Sequence, residues 1–500
     1  MLNIHMSKAI TNNWSNVSWR FLRGKVFNIQ CRIYQATKAN KKRTTRNLQK
    51  VLLSSKSAKF VAMYRTTEIF SNDKSTNPNI SNLIKLDNKM TENIISAVRN
   101  GSHSKHQLLL ESTKQYLVRL VLEPEWESFF TNNEIASFGF RPGYCVHDAI
   151  QSILNQICSS HPYVFSTNII RLDNKVNSTH LLQFLHLDDF PLLQAQIESW
   201  LNGGCLDKRD FLYCGNKNYS TLSFLLVNII LSRIPSVIKL AQLDFQNFNN
   251  GKTSANISIV QYGDSLVFSY PEINGLIHIK KSLDKFLLPI GLIMDQSEYG
   301  ITHITNYRTH SKPGFNFLGV YIRKYRSITG RYKLVVTPKF SKVKEHLCHI
   351  RQVVRSNKSS PARRIIQLLN PIIQGWAYYY HYTNPTKIFN FCDFRIRIIL
   401  RRWMVYRHPM KSWQWLRKKY FVYLSKDTHN IIKSDRFFDN NFRSNSLSYT
   451  FNSIILNRHT ETYLSTWTNV DKRRSFFDGD FCYWRIKLQN FPELDHRKLI

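Results

Sequence analysis

The sequence predicts an α+β fold followed by an all-helical region, and two patterns support this prediction. Between residues 163 and 325, β-like runs such as YVFSTNII and FNFLGVYIRKY are interleaved with helical stretches such as IKKSLDKFLL. That mixture is typical of an α+β domain. Further along the chain, FRIRIILRRWM places apolar residues at i, i+3, i+4, i+7 and i+8, which is one helical stripe. Five hundred residues also exceed one small core, so two or more domains are expected.

The net charge points to a polyanionic partner. Seventy lysines and arginines stand against 33 acidic residues, so the net charge is +37 and the pI about 9.9. Self-repulsion on this scale requires such a partner or costs stability. RNA, DNA and an anionic membrane surface are the classes that qualify. Because no run of eighteen apolar residues is present, we expect no segment that spans a bilayer.

The cysteine spacing argues against a metal site. The eight cysteines are scattered, none forms a C-x-x-C pair, and no pair of histidines completes a zinc pattern. We therefore expect reduced thiols, a reducing compartment and no bound metal. The N-terminal sequence MLNIHMSKAITNNW has neither an apolar signal core nor the clear Arg- and Ser-rich character of a transit peptide.

Positive charge is interleaved with aromatic rings from Pro361 to Phe421, where Asp393 is the only acidic residue. Cations neutralise phosphates and flat rings stack on unpaired bases, so this stretch predicts a surface that binds nucleic acid. The alternative is a solvated basic face with the aromatics in the core. The candidate RNA-binding residues here are Arg363, Arg364, Trp376, Tyr379, Tyr380, Arg395, Arg397, Arg401, Arg402, Arg407, Lys411, Arg417, Lys418 and Lys419.

A second basic region lies near the N-terminus. Residues 14–67 show spaced apolar anchors among many cations, which predicts two amphipathic helices joined by the connector KKRTTR. A solvated basic helical bundle is the alternative interpretation. The candidate RNA-binding residues of this region are Arg20, Arg23, Arg32, Lys41, Lys42 and Arg43.

Several blocks of the chain resemble a known family. NPIIQGWAYYY, RRWMVYRHPMKS and WLRKKYF are similar to the thumb-like maturase segment, called domain X, of group II intron-encoded proteins. QCRIYQA and LQKVLLSS are similar to the N-terminal extension of the same family. The resemblance implies that both regions bind the intron RNA that the protein helps to splice.

The same resemblance implies right-hand, reverse-transcriptase-like fingers and palm, followed by an all-helical thumb. On this basis residues 1–67 form the basic helical extension and 68–335 the degenerate fingers and palm. Residues 336–425 form the maturase thumb, or domain X, and 426–500 form a C-terminal remnant. Within the palm stretch SFGFRPGYCVHDAI, Arg141 is a candidate phosphate contact, although a structural role is expected for nearly all of this stretch.

The positions that resemble the polymerase site have lost most of their carboxylates. Asn168 stands where the family has its first metal-binding aspartate, and Asp173 is five residues away. In QYGDSLVFSY, Asp264 is kept while Ser265 replaces the second aspartate of the Tyr-Ala-Asp-Asp hairpin. Two divalent metals held by carboxylates are needed for nucleotide addition. We therefore expect no catalytic residues and no cofactor, with Mg²⁺ relevant only to residual polymerase activity.

The C-terminal block RRSFFDGDFCYWRIKLQ resembles the segment that precedes the family's His-Asn-His endonuclease. The paired cysteines and catalytic histidines of that nuclease are missing, so DNA cleavage is not expected.

The resulting prediction is an intron-encoded maturase that binds group II or related intron RNA and assists its folding and splicing. An active reverse transcriptase, a general single-strand RNA-binding protein and a decayed reading frame are the alternatives. Intron RNA is the expected partner, no membrane is expected, and a homodimer stays open. The resemblance favours an organelle, the chloroplast or another plastid more than the mitochondrion.

Overall fold

The computed structural model contains two compact units. The first comprises Met1–Thr302 with Thr468–Ile500, and the second comprises His303–Trp467. The residues that the structure describes are 18–72, 105–132, 136–157, 161–171, 178–202, 221–248, 257–295, 300–304, 313–326, 332–424, 434–439, 454–462, 467, 470–471 and 473–489.

In the N-terminal part of the first unit, the described residues form four helices: α1 (Trp19–Lys38), α2 (Lys42–Ser54), α3 (Lys56–Asn72) and α4 (Lys105–Asn132). Helices α1, α2 and α3 all pack on α4. Their inward residues, such as Ile33, Leu52 and Leu117, are fully buried, while cations such as Arg20 and Arg32 are exposed. Gln30 of α1 donates a hydrogen bond to the Leu120 carbonyl at 2.9 Å, which ties the basic helices to the rest of the unit.

A mixed sheet follows, with the strand order β1-β3-β4-β2-β5. Its strands are β1 (Ala136–Ser137), β2 (Tyr163–Arg171), β3 (Ser258–Tyr262), β4 (Ser265–Tyr270) and β5 (Leu292–Met294), and β6 (Ile301–His303) lies where the chain enters the second unit. The helices around the sheet are α5 (Val146–Ile157), α6 (Ser178–Leu185), α7 (Pro191–Asn202), α8 (Thr221–Leu231), α9 (Ile234–Phe248) and α10 (Ile273–Leu287). Every residue of β4 is buried, so the β3–β4 hairpin forms the centre of the core.

One helical stretch of the described residues, Leu222–Phe245, is long and apolar enough to cross a membrane by length and composition. Its mean hydropathy is 1.7, and 56% of it is buried inside the fold. Because a buried core helix satisfies the same criterion, this is weak evidence for a membrane span.

Within the part of the second unit that the structure describes, four α-helices accompany two small antiparallel sheets. Strands β7 (Phe315–Phe317), β8 (Val320–Arg326) and β9 (Tyr332–Pro338) form one sheet. The helices are α11 (Phe340–Ser356), α12 (Ala362–Tyr380), α13 (Thr386–Arg407) and α14 (Trp413–Tyr420). Strands β10 (Phe421–Leu424), β11 (Ser434–Asp439) and β12 (Ile454–Ile455) form the other sheet. The chain is thus helical from Phe340 to Tyr420 apart from short connections, and the α+β class with a helical C-terminal region is confirmed.

The apolar stripe predicted for FRIRIILRRWM is confirmed. Its residues Ile396, Ile399, Leu400, Trp403 and Met404 are all buried in the core of the second unit. With this side of α13 fixed inward, the arginines between the stripe positions are turned to the outside.

The chain finally returns to the first unit, through residues 473–489, which we call the return segment; it ends in α15 (Phe481–Gln489). Phe476, Phe477 and Trp484 are buried there, and the rings of Phe476 and Phe477 contact Phe27 of α1. Trp484 also donates a hydrogen bond from Nε1 to the Ser475 carbonyl at 3.0 Å. The return segment is therefore part of the core of the first unit.

Candidate nucleic-acid interface

An exposed cationic surface follows α13 and α14. Ser412 caps α14, since the Trp415 backbone N–H donates to its Oγ at 3.4 Å. On α14 only Leu416 and Tyr420 are buried, so the remaining side chains project outward. We call this the α13–α14 surface; its exposed residues are Arg395, Arg397, Arg401, Arg402, Tyr406, Lys411, Trp413, Trp415, Arg417, Lys418 and Lys419.

Two tryptophans of this surface make cation–π contacts. The Arg401 guanidinium lies 4.6 Å from the centre of the Trp413 ring. Lys419 and Lys411 lie 4.8 Å and 5.6 Å from the Trp415 ring. Such cation–π contacts hold a ring in place. Because the two tryptophan side chains remain 38% and 37% exposed, part of each ring stays accessible to an unpaired base.

Sequence reasoning did not select Trp413, Trp415 or Tyr406 as RNA-binding residues. Tyr406 is 64% exposed, and the Lys358 ammonium lies 5.0 Å from its ring. The signal was available in the helical spacing. Leu416 and Tyr420 form an i, i+4 apolar pair in WQWLRKKY, which leaves the flanking tryptophans for the surface.

The aromatics that were predicted to bind RNA all make packing contacts within the second unit. Trp376 stacks on His346, with ring centres 4.6 Å apart. Tyr380 is buried and donates its hydroxyl to the Gly319 carbonyl at 3.2 Å. Tyr379 is half-buried and donates to the Leu318 carbonyl at 2.9 Å. Core packing, the alternative interpretation, describes the buried Tyr380, whereas RNA contact by the half-buried Trp376 and Tyr379 stays a prediction.

The predicted cations divide into exposed and partly buried groups. Arg407 is half-buried and donates to the carbonyls of Ser359 and Ser360, so it ties the end of α13 to the turn before α12. Arg363 is also half-buried, whereas Arg364 is exposed. Arg407 and Arg363 are thus less accessible to phosphate than the cations of the α13–α14 surface.

The N-terminal cations belong to the first unit and lie mostly in the open. Arg23 is half-buried, and its guanidinium lies 5.4 Å from the Tyr64 ring. The exposed members of the predicted set are Arg20, Arg32, Lys41, Lys42 and Arg43.

Asp393, the acidic residue among these cations, is held by hydrogen bonds that favour its ionised form. Its Oδ1 accepts from His459 Nδ1 at 2.7 Å and from the His459 N–H at 3.0 Å, and its Oδ2 accepts from the Thr460 hydroxyl at 3.0 Å. Burial would raise the pKa of Asp393, but these hydrogen bonds and the nearby His459 ring lower it on balance. Behind His459 lies His346, with the two Nε2 atoms 2.9 Å apart, and burial lowers the pKa of His346 to about 3.

The residues that the resemblance places at the polymerase positions are brought together in the mixed sheet of the first unit, which we call the palm-like sheet. Asn168 of β2 lies opposite Ser265 of β4, and the Ser265 hydroxyl donates to Asn168 Oδ1 at 2.9 Å. Asp264 lies beside them in the turn, and burial raises its pKa to about 6. One carboxylate beside a hydrogen-bonded amide and hydroxyl does not match the charged oxygen ligands that Mg²⁺ requires. The described residues at this position therefore do not fit a two-metal centre.

No group of three or more His, Cys, Asp or Glu side chains is placed to hold a metal ion within the described parts of the chain. Asp173, the carboxylate nearest to Asn168 in sequence, lies outside the described residues.

Arg141, the candidate phosphate contact, is buried in an ion pair. Its Nε and Nη2 donate to the two carboxylate oxygens of Glu127 at 2.9 and 2.8 Å, and both side chains are nearly inaccessible. The guanidinium also lies 4.5 Å from the Tyr144 ring. Arg141 therefore has the structural role that was expected for most of its stretch.

Two known families match parts of the chain. The family described as "Group II intron, maturase-specific domain" matches residues 343–421. That match covers α11 to α14 almost completely and contains the whole α13–α14 surface. The family described as "N-terminal domain of reverse transcriptase" matches residues 14–97, which include α1 to α3. The two matches, which together cover about a third of the chain, support a group II intron maturase or reverse-transcriptase-like protein, which we call the maturase below.

The maturase-specific domain implies that the chain binds intron RNA and acts in the splicing of an intron. A search of curated proteins found no match to the maturase. Its two matched segments coincide with the two basic regions that carry the predicted RNA-binding residues.

Proposed function

We propose that the maturase holds intron RNA on the α13–α14 surface and thereby stabilises the splicing-competent fold of that RNA. The observation that carries this proposal is the pairing of exposed cations with half-exposed rings, as in Arg401 with Trp413 and Lys419 with Trp415. Cations at this spacing neutralise phosphates, while the accessible ring faces take unpaired loop bases. The N-terminal cations of α1 and α2 supply a second contact region.

The catalyst in this mechanism is the RNA itself. A bound protein shifts a conformational equilibrium only by the difference between its affinities for the two conformers. A surface that requires both phosphates and accessible bases meets this condition, because a folded intron presents its unpaired loops in fixed positions. A regular duplex offers the same charge but few open bases.

Two tryptophans allow a direct test. We expect Trp413→Ala combined with Trp415→Ala to weaken binding to the intron RNA about tenfold or more, since stacking on an aromatic ring contributes roughly 1–3 kcal/mol per base. The control is Tyr332→Ala combined with Phe340→Ala, which removes two other exposed rings of the same unit. Equal loss of affinity in both double variants, measured with the RNA that crosslinks to the protein in its native compartment, would contradict the proposal.

The palm-like sheet is proposed to act as a scaffold without Mg²⁺ and without polymerase activity. Support comes from the hydrogen bond between Ser265 and Asn168, which occupies both groups at the positions of two lost carboxylates. Primer extension with the purified protein in Mg²⁺ or Mn²⁺ tests this, with an active reverse transcriptase as the positive control. Robust cDNA synthesis would refute the scaffold role.

The proposed location is an organelle, a plastid rather than a mitochondrion, and no membrane takes part. The share of Leu222–Phe245 that is buried inside the fold supports the second statement. Fractionation of the source cells would test the organellar location and the absence of a membrane role. Recovery of the protein from a membrane pellet after a high-salt wash would contradict the second of these. Light scattering of the RNA-free protein distinguishes a monomer from a homodimer.

A further inference from the structure

A small cavity opens beside α13 in the second unit, and the proposed RNA-binding surface does not account for it. Its volume is about 200 Å³, below the roughly 300–1,000 Å³ of pockets that take drug-sized ligands. One side is formed by α13 residues at helical spacing, from Asn390 through Arg397 to Leu400. The other side is formed by Phe421, by Phe437 and by the chain around residues 456–460.

The lining combines an apolar interior with polar groups. Leu400 and Phe437 are buried, and Phe394 is 59% exposed at the side of α13. The side-chain amides of Asn390 and Asn457 make no hydrogen bond to any other residue that the structure describes. An amide side chain offers both donors and an acceptor. The cavity thus provides an apolar environment beside hydrogen-bonding groups of both kinds.

The charges around the cavity differ between its wall and its surroundings. Asp393 forms part of the wall, and its oxygens are already engaged by His459 and Thr460. A carboxylate in the wall disfavours a phosphate inside the cavity. Arg397 lines the cavity, is exposed and forms no ion pair with another described residue. A ligand with a neutral planar part inside and a phosphate outside fits this arrangement.

We propose that this cavity takes one unpaired nucleobase of the bound RNA. The base lies in the apolar interior against Phe394, Asn390 and Asn457 contact its hydrogen-bonding edge, and Arg397 contacts its phosphate. Proteins recognise unpaired RNA bases in this way, by stacking combined with contacts to the base edge. The inference rests on the proposed function, because it assigns the cavity to the same RNA.

The cavity is continuous with the α13–α14 surface along the helix. Arg397 and Arg401 are four residues apart, so their side chains are neighbours on the same exposed side of α13. Arg401 in turn contacts Trp413. A strand whose phosphates follow the two arginines can therefore place one base in the cavity and the next unpaired base on Trp413.

A set of RNA hairpins tests the proposal with the full chain. The hairpins share one stem and carry loops of A, C, G or U, and a duplex with the same number of phosphates serves as the reference. We expect at least one loop to bind about tenfold more tightly than the duplex, with Kd measured by fluorescence anisotropy. Phe394→Ala and Asn457→Leu should each remove most of this preference, whereas Phe391→Ala, an exposed ring of the same helix outside the cavity, should leave it intact.

A fluorescent base reports on the cavity directly. A 2-aminopurine placed in the preferred loop should be quenched by the unmodified protein and by Phe391→Ala, but not by Phe394→Ala. Loop preference and quenching that persist in both Phe394→Ala and Asn457→Leu would overturn the cavity proposal while leaving the proposed function standing. If the unmodified protein binds neither loops nor duplex, the proposed function fails and the cavity proposal fails with it.

Discussion

Neutralising three cations of the α13–α14 surface should weaken RNA binding and make the affinity less dependent on salt concentration. The variant is Arg401→Gln, Arg402→Gln and Lys418→Gln, and all three side chains are exposed. Each cation that contacts a phosphate contributes about 0.7–0.9 to the slope of log K against log salt. Three lost contacts should therefore reduce this slope by about 2–3.

The slope also fixes the loss of affinity at a chosen salt concentration. If the variant and the unmodified protein bind RNA with equal affinity at 1 M salt, the change in slope predicts about 100-fold weaker binding of the variant at 0.15 M. The assay is a filter-binding or anisotropy titration with intron RNA, repeated between about 0.1 and 0.5 M KCl. Splicing of the intron, followed in the same buffer, should decline in parallel.

A matched control separates local contacts from net charge. Lys239→Gln, Lys281→Gln and Lys285→Gln remove three exposed cations from α9 and α10 of the first unit. We expect this variant to change the slope by less than about one. If the two triple variants lose the same slope and the same affinity, general charge attraction explains the binding and the reasoning about α13 and α14 is wrong.

Three further predictions concern stability. Gly143→Ala should destabilise the first unit by about 3 kcal/mol, because Gly143 has φ +78° and an added Cβ would collide with the Trp484 ring. The measurement is urea unfolding, and the control is Gly24→Ala, whose added Cβ meets no neighbour. Asp264→Asn should stabilise the protein by about 1–3 kcal/mol at pH 8 and by nothing at pH 3.5. The reason is that the pKa of Asp264 is raised in the folded state, so this carboxyl costs stability as the pH rises from its pKa in the unfolded chain through 6. The pKa of His346 is lowered to about 3 in the folded state, so the fold needs this histidine neutral. About 2 kcal/mol of the free energy of unfolding should therefore be lost between pH 7 and 5, where the unfolded chain takes up the proton. His346→Gln should flatten this dependence of stability on pH.

Local periodicity predicted the helical part of the maturase well. The buried stripe of α13 follows from spacing alone, because a helix with apolar residues on one side must turn that side to the core. The same spacing placed Arg401 and Arg402 outside, as the structure has them. What spacing supplied was the direction of side chains relative to their own helix.

Contacts between distant parts of the chain were not available in the same way. Tyr380 is covered by the turn at Gly319, 61 residues earlier, and the sequence NPIIQGWAYYY does not predict that contact. Trp376 and Trp413 are both tryptophans in a basic stretch, yet one stacks on His346 and the other contacts solvent. The choice between a packing ring and a binding ring depends on these long-range neighbours.

The palm positions show the complementary case. The resemblance placed Asn168 and Ser265 at one site, and the register of β2 against β4 brings them into contact. The hydrogen bond between the two side chains could not be read from the sequence, since it depends on that register. Arg141 is similar, because its partner Glu127 lies on a preceding helix that only the fold brings near.

The return segment has a consequence for how the protein is made on the ribosome. The rings of Phe476, Phe477 and Trp484 belong to the core of the first unit, yet they are synthesised after the whole second unit. At about 5–20 residues per second, the interval between residue 302 and residue 489 is roughly 10–40 s. During that time the nascent first unit exposes the apolar site around Phe27 and Tyr144, while the RNA-binding helices have already emerged. The maturase can therefore meet its intron before its own N-terminal half has closed, and this waiting period is when chaperones would be needed.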